Sequence, residues 1–159
     1  MRYQKYLMPI LTLAMAVMMS SFAPSISHSE STKEGKYSVA GLDDEKEVNS
    51  FFLRFQDAVA RHEKEQVAAM IDYPIKAISA SGKTLKIENQ KKFVEKYDNI
   101  FDSLFTTTIT KKKVNELWAN YQGVATETGE IWLGGVFKGK SNMYVLKIIA
   151  INGMTGRHK

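Results

Sequence analysis

Two aspartates lie beside tyrosines and are the residues whose types could support acid–base chemistry. Asp72 precedes Tyr73-Pro74, and Asp98 follows Tyr97. A carboxylate buried in a pocket has a raised pKa and can act as a general base, with a tyrosine hydroxyl as proton donor. The competing interpretation is that Asp72 satisfies backbone groups at a helix end and that Asp98, off the apolar stripe of its helix, faces water. This structural interpretation is favoured, so the catalytic residues stay unknown.

Other reactive groups are sparse. The three histidines are His28, His62 and His158, and two of them fall outside the predicted fold, so no metal site is predicted. The absence of cysteine excludes disulfides and thiolate chemistry. Glu127 and Glu130 flank a predicted hairpin turn and are expected to be solvent-exposed rather than a catalytic pair. No cofactor is predicted.

A set of aromatic residues provides the remaining candidates for a ligand site. Their hydroxyl and indole groups could orient a small apolar ligand in a cavity, or their rings could fill the interior, which is the favoured alternative. With Asp98 added, the predicted pocket residues are Tyr73, Tyr97, Asp98, Phe101, Trp132 and Tyr144.

The first 27 residues have the three-part pattern of a secretory signal peptide. Arg2 and Lys5 precede an apolar run over residues 7–19, and small residues follow it. Residues 28–42 are polar and predict a flexible tether, residues 43–153 one domain, and residues 154–159 a tail. The protein is therefore expected to be exported, periplasmic or secreted, and to meet the membrane only transiently through this segment. An uncleaved membrane anchor is the minor alternative.

Periodicity places the elements that would position these residues. Apolar residues at helical spacing predict a helix from Asp43 or Asp44, a second over 64–71, and a third after Asn89 whose apolar face includes Phe93 and Leu104. Short strands are predicted at 75–80 and 84–87, and three longer antiparallel strands at 117–127, 130–137 and 143–151. The fold class is therefore α+β.

Both faces of the last predicted strand are mostly apolar. Tyr144, Leu146, Ile148 and Ala150 alternate with Met143, Val145, Lys147, Ile149 and Ile151. One face must cover the helices, and the other is predicted to associate with something else, for which a homodimer through the outer sheet face is one possibility.

Particular residues carry a family resemblance. Tyr73-Pro74 follows paired helices, and the segments 117–123 (LWANYQG), 129–132 (GEIW) and 146–152 (LKIIAIN) follow later. With this element order, the chain resembles small exported bacterial proteins of the nuclear transport factor 2-like superfamily, including SnoaL-like members, from about residue 43 to 152. The resemblance implies a curved antiparallel sheet wrapped around a long helix in a cone. It transfers no catalytic residues, because none of the acid–base sets of the enzymatic members is matched.

Charge and composition narrow the partner classes. The formal net charge of +5 falls to +3 without Arg2 and Lys5 of the leader, and the lysines are dispersed, so nucleic acid is not an expected partner. The leading prediction is a non-enzymatic binding module for a small apolar ligand or a protein partner in the bacterial cell envelope. A lyase or isomerase with a pocket carboxylate as base is the alternative, and an immunity or inhibitor protein is a further one.

Overall fold

The computed structural model describes residues 35–137, 139 and 143–153. The predicted signal peptide, the first part of the predicted tether and the predicted tail lie outside the described residues. Within them, no helix combines the length and the apolar composition that a membrane span requires.

Helices and strands follow one another in an α+β order. The helices are α1 (Glu45–Ala60), α2 (Lys64–Ala69), α3 (Gln90–Ile100) and α4 (Ser103–Thr110), with 3-10 turns at Ser38–Ala40 and Val114–Glu116. The strands are β1 (Ile75–Ile78), β2 (Thr84–Ile87), β3 (Trp118–Asn120), β4 (Gly123–Ala125), β5 (Ile131–Phe137) and β6 (Tyr144–Ile151).

Side-chain caps fix where the helices begin. Asp44 accepts a hydrogen bond from the Glu47 amide at 3.0 Å, and Asn89 accepts one from the Lys92 amide at 3.0 Å. The predicted third helix was too long. It ends at Ile100, and Asp102 caps the separate helix α4 through the Phe105 amide. Leu104, predicted to face the core, is 55% exposed.

The strands form one six-stranded mixed sheet in the order β2-β1-β6-β5-β4-β3. Strand β1 pairs parallel with β6, and the other neighbours are antiparallel. The predicted strand over 117–127 was wrong in one respect, because the chain turns at Tyr121 and Gln122 and returns as β4. Gly123, at φ 147°, makes this return with a backbone conformation that other residues rarely adopt.

One face of the sheet, called here the inner face, packs against the helices. Its strand residues are almost fully buried, and α1 adds the apolar stripe that begins at Val48. The inner-face residues are Ile75, Ala77, Ile87, Val124, Ile131, Leu133, Leu146, Ile148 and Ile151. Burial of this continuous apolar layer is the main stabilising contribution to the fold.

The predicted alternation of side chains along β6 was wrong at its end, because the strand contains a bulge. Trp132 lies opposite Ala150 and Leu133 opposite Ile148, so Ile149 has no residue opposite it. Ile151 therefore lies on the inner face and is fully buried, although simple alternation assigned it to the other face with Ile149.

The described part of the predicted tether packs against the domain. Tyr37 and Leu42 are fully buried in the core. The Tyr37 hydroxyl donates to the Asn49 side-chain oxygen on α1 at 2.9 Å. Part of the polar stretch 28–42 thus belongs to the domain.

Candidate functional site

Two of the predicted pocket residues lie in the packed interior. The Tyr97 ring stacks on the Phe101 ring with centroids 5.0 Å apart, and Phe101 stacks on Phe105 at 5.3 Å. Phe93 meets both Tyr97 and Phe101 edge to face. All four residues are buried. These rings fill space between α3, α4 and the rest of the core rather than line a cavity.

Tyr73 and Tyr144 occupy separate places. The Tyr73 hydroxyl donates to the Ala68 carbonyl at 2.9 Å, and burial raises the pKa of this hydroxyl. Tyr144 lies at the start of β6, against the inner side of Gly135 and beside Phe137. The structure therefore does not bring the two tyrosines together into one site.

The two predicted carboxylates lie in different surroundings. Asp98 is on the surface, with its side chain 73% exposed, and pairs with the Lys64 ammonium at 2.7 Å. Burial, and secondarily the Asp98 charge, raise the pKa of Tyr97 to about 12. The Tyr97 hydroxyl is buried and has no hydrogen-bond partner among the described residues. Asp72 is half-buried, and its backbone amide donates to the Ile148 carbonyl at 2.9 Å.

Glu130 was predicted to be exposed, and this was wrong. The residue is 5% exposed, and its carboxylate accepts hydrogen bonds from the Thr126 hydroxyl at 2.6 Å and from the Thr128 hydroxyl. The Lys112 ammonium lies 3.1 Å from the same carboxylate. Burial raises the pKa of Glu130, but the hydrogen bonds from Thr126, Thr128 and Lys112 lower it more, so the net pKa lies below its ordinary value.

This polar cluster joins the sheet to the end of α4. The Gln56 side-chain amide of α1 donates to the Ile109 and Lys112 carbonyls at 2.7 and 2.8 Å. Lys112, in turn, reaches Glu130 at the start of β5. Each carboxylate oxygen of Glu130 thus has a donor, and the cluster connects the end of α4 to the residue before β5.

The opposite face of the sheet, the outer face, carries a regular row of side chains. Trp118 on β3 lies opposite Ala125 on β4, Ala125 opposite Trp132 on β5, and Trp132 opposite Ala150 on β6. Ala125 is small enough for the two indoles to meet across it, with ring centroids 5.4 Å apart and planes at 79°. Trp118 is 38% exposed and Trp132 is half-buried.

Backbone carbonyls hold both indoles in place. The Trp118 Nε1 donates to the Thr126 carbonyl at 2.9 Å, and the Trp132 Nε1 donates to the Gly129 carbonyl at 3.1 Å. With these donors used internally, the rings offer apolar faces and edges to a partner.

The row continues onto two lysines. Ala77 on β1 is the parallel partner of Ile151, so the preceding residue, Lys76, lies beside Ala150. Lys86 on β2 lies directly opposite Lys76. Both lysines are exposed. The outer row therefore comprises Trp118, Ala125, Trp132, Ala150, Lys76 and Lys86, in that order across six strands.

A cleft lies next to the aromatic half of the outer row. It has a volume of about 340 Å³ and is lined by Gln122, Trp132, Ile149, Ala150 and Asn152. The Ile149 side chain at the bulge lies over Gly134, where an added Cβ would come within 2.9 Å of it. The Asn152 amide donates to the Gly129 carbonyl at 2.9 Å, which fixes it at the rim.

Of the outer row and its cleft, the sequence analysis predicted only Trp132 as a site residue. Trp118, Lys76 and Gln122 were missed as site residues. Alternation within β1 and β5 could have indicated which of their side chains share a face. The alignment of residues across six strands could not be predicted, because it depends on the β3–β4 turn and the bulge in β6.

Comparison with known proteins gives no further assignment: no protein-family model, no curated protein and no solved structure matches the chain.

Proposed function

We propose that the protein is an exported, non-enzymatic binding module that takes its partner on the outer row of the sheet rather than in an interior pocket. The observation that carries this proposal is the contact between Trp118 and Trp132, whose indoles are fixed by the backbone and yet remain partly exposed. Aromatic residues held in this way are typical anchors of binding surfaces, since little conformational entropy is lost on binding.

The tight packing of the interior supports a binding site on the outer row of the sheet rather than in an interior pocket. The rings of Tyr97 and Phe101 stack tightly, and Asp98 pairs with Lys64 at the surface. A lyase or isomerase would need Asp72 or Asp98 in a pocket beside a tyrosine hydroxyl. The packed rings and the exposed Asp98 give that alternative little support.

The proposed architecture is the nuclear transport factor 2-like cone. The strand order, the single parallel pair of β1 with β6, and the helices packed on one face support it. In such a cone the outer row would lie on the surface that faces away from the helices. Export is proposed from the residue pattern of the first 27 positions alone, and a protein mass in the exported fraction that still includes Met1–Ser27 would contradict cleavage.

The surface proposal is tested with a fluorescent apolar dye, anilinonaphthalene sulfonate, excited directly. The full chain is compared with the double variant Trp118→Ala/Trp132→Ala and with Leu104→Ala, which removes another exposed apolar side chain on α4. We expect the tryptophan variant to lose most of the dye emission that Leu104→Ala retains. Dye bound by the apolar N-terminal run is common to all three proteins and cancels.

Equal emission from the three proteins, with unchanged circular dichroism, would contradict the proposal. Light scattering tests whether the protein forms a homodimer through the outer face. A dimer that becomes monomeric in the tryptophan variant would make a second copy the partner of this surface.

A further inference from the structure

Charge is distributed unevenly on the sheet. None of the six strands that the structure describes contains an aspartate or glutamate, whereas three lysines lie on them: Lys76, Lys86 and Lys147. The Lys147 ammonium is used internally, on the Ala69 carbonyl at the end of α2. Lys76 and Lys86 remain at one end of the outer row, as the charges that face a partner.

The pairing of these two lysines is unfavourable in the protein alone. Like charges directly opposite each other on neighbouring strands repel. Lys86 has an exposed ion pair with Glu88 at 2.9 Å, which contributes little. Lys76 has no ion-pair partner among the described residues. An anion placed between the two ammonium groups would relieve the repulsion, so charge complementarity calls for a negatively charged partner.

The aromatic half of the row complements a different part of the ligand from the lysines. The indoles present carbon surfaces without free donors, and Gln122 and Asn152 present amides at the adjacent cleft. Flat C–H surfaces with hydroxyl groups at their edges, as in a sugar ring, complement this combination. Six strands spaced by about 4.8 Å give a row of roughly 24 Å, enough for several linked sugars.

The geometry of the row argues against two other partners, an added peptide strand and a bilayer surface. A peptide that adds to a sheet pairs along an edge strand, whereas this row crosses the strands on the face of the sheet. A bilayer surface favours apolar side chains that protrude, whereas Ala125 is fully buried and Trp132 half-buried in the row.

We infer that the outer row binds an anionic polysaccharide, with sugar rings on Trp118 and Trp132 and carboxylate groups at Lys76 and Lys86. This inference rests on the proposed function and specifies its ligand class. Binding is expected to weaken as salt concentration rises, because the two lysines are exposed and screened.

Affinity electrophoresis in native gels tests the inference with the full chain. Polygalacturonate is the anionic polysaccharide, dextran the neutral one, and polyacrylate the anionic polymer without sugars. We expect retardation by polygalacturonate, with an apparent Kd at least tenfold lower than for dextran or polyacrylate. The double variant Trp118→Ala/Trp132→Ala should lose retardation, and Lys76→Gln/Lys86→Gln should weaken it about tenfold.

Matched controls separate the site from general charge effects. Lys91→Gln/Lys96→Gln removes two exposed lysines from α3 and should leave retardation unchanged. Equal weakening by both lysine pairs, or equal retardation by polyacrylate, would overturn the inference. So would binding to anionic phospholipid vesicles without binding to polygalacturonate. If the unmodified protein does not bind polygalacturonate while its tryptophan-dependent dye emission is present, this inference alone is refuted. If the tryptophan variant and Leu104→Ala emit equally with the dye, the proposed function is refuted.

Discussion

The two faces of the sheet are built from the same strands by different rules. On the inner face, branched residues such as Ile131 and Ile151 lie opposite each other and are fully buried, so side-chain volume determines which residues fit. On the outer face, bulky and small side chains alternate from Trp118 to Ala150 and then give way to lysines. The inner face supplies the core, and the pattern of the outer face is the observation on which the proposed binding function rests.

The largest expected effect lies on the inner side of the molecule. Phe101 contacts the rings of Phe55, Phe93, Tyr97 and Phe105. We expect Phe101→Ala to lower the free energy of unfolding by about 3–5 kcal/mol, since the packed rings cannot close the gap. Urea denaturation measures this loss. The exposed control Leu104→Ala should change stability by less than about 0.5 kcal/mol, and an equally small change in Phe101→Ala would contradict the tight packing of its ring.

The next effect concerns the backbone under the outer row. A Cβ at Gly123 would lie 2.4 Å from the Leu133 carbonyl oxygen, at a φ of 147°. We expect Gly123→Ala to lower the free energy of unfolding by about 3 kcal/mol, because strain and steric overlap add. Gly41→Ala is the matched control, with a φ of 69° and no atom within 4 Å. The free energy of unfolding of Gly41→Ala should fall by only about 1 kcal/mol. A fall as large as that of Gly123→Ala would show that the backbone conformation, and not the steric overlap, causes the loss.

A smaller effect is expected where the polar cluster joins the two sides. Glu130→Gln should lower the free energy of unfolding by about 2 kcal/mol at neutral pH, because charge-assisted hydrogen bonds and the Lys112 pair are lost. Since the folded-state pKa of Glu130 is lowered, its contribution is fully present above the ordinary value of 4.5 and is lost as pH falls through the folded-state pKa.

The difference between wild type and Glu130→Gln should therefore shrink as the pH of denaturation experiments falls below 4.5. Glu127→Gln, at a carboxylate 66% exposed, is the control and should change the free energy of unfolding by less than about 0.5 kcal/mol. A difference that grows in acid would contradict the assigned direction of the pKa.

The smallest effect is expected from removing either of two tyrosine hydroxyls. Tyr97→Phe removes a hydroxyl without a described partner, so stability should stay equal or rise by up to about 1 kcal/mol. Tyr73→Phe removes a hydroxyl that donates to the Ala68 carbonyl and should lose about 1 kcal/mol. Thermal unfolding at neutral pH measures both. A larger loss from Tyr97→Phe would mean that its hydroxyl has a partner after all, such as a buried water.

Local signals predicted much of the fold. The Asp44 and Asn89 caps, the apolar stripe of α1, the β1–β2 hairpin and the α+β class all depend on residues close in sequence. The break between Ile100 and Ser103 was missed because an apolar residue at Leu104 continued the helical spacing, while the Asp102 cap received no weight.

Non-local features explain most of the remaining misses. Glu130 is buried because Lys112, eighteen positions earlier in the chain, folds back onto it, and no local pattern indicates that contact. The outer row depends on the turn at Tyr121 and on the extra residue at Ile149. Without either feature, different residues would lie opposite each other on the neighbouring strands.

The buried Tyr37 limits how far the chain can be shortened from its amino end without opening the core. Its ring is fully buried, its hydroxyl holds Asn49, and burial followed by the Glu45 charge raises its pKa to about 12. A shortened version that starts at Asp43 would therefore leave a hole where this ring and Leu42 pack.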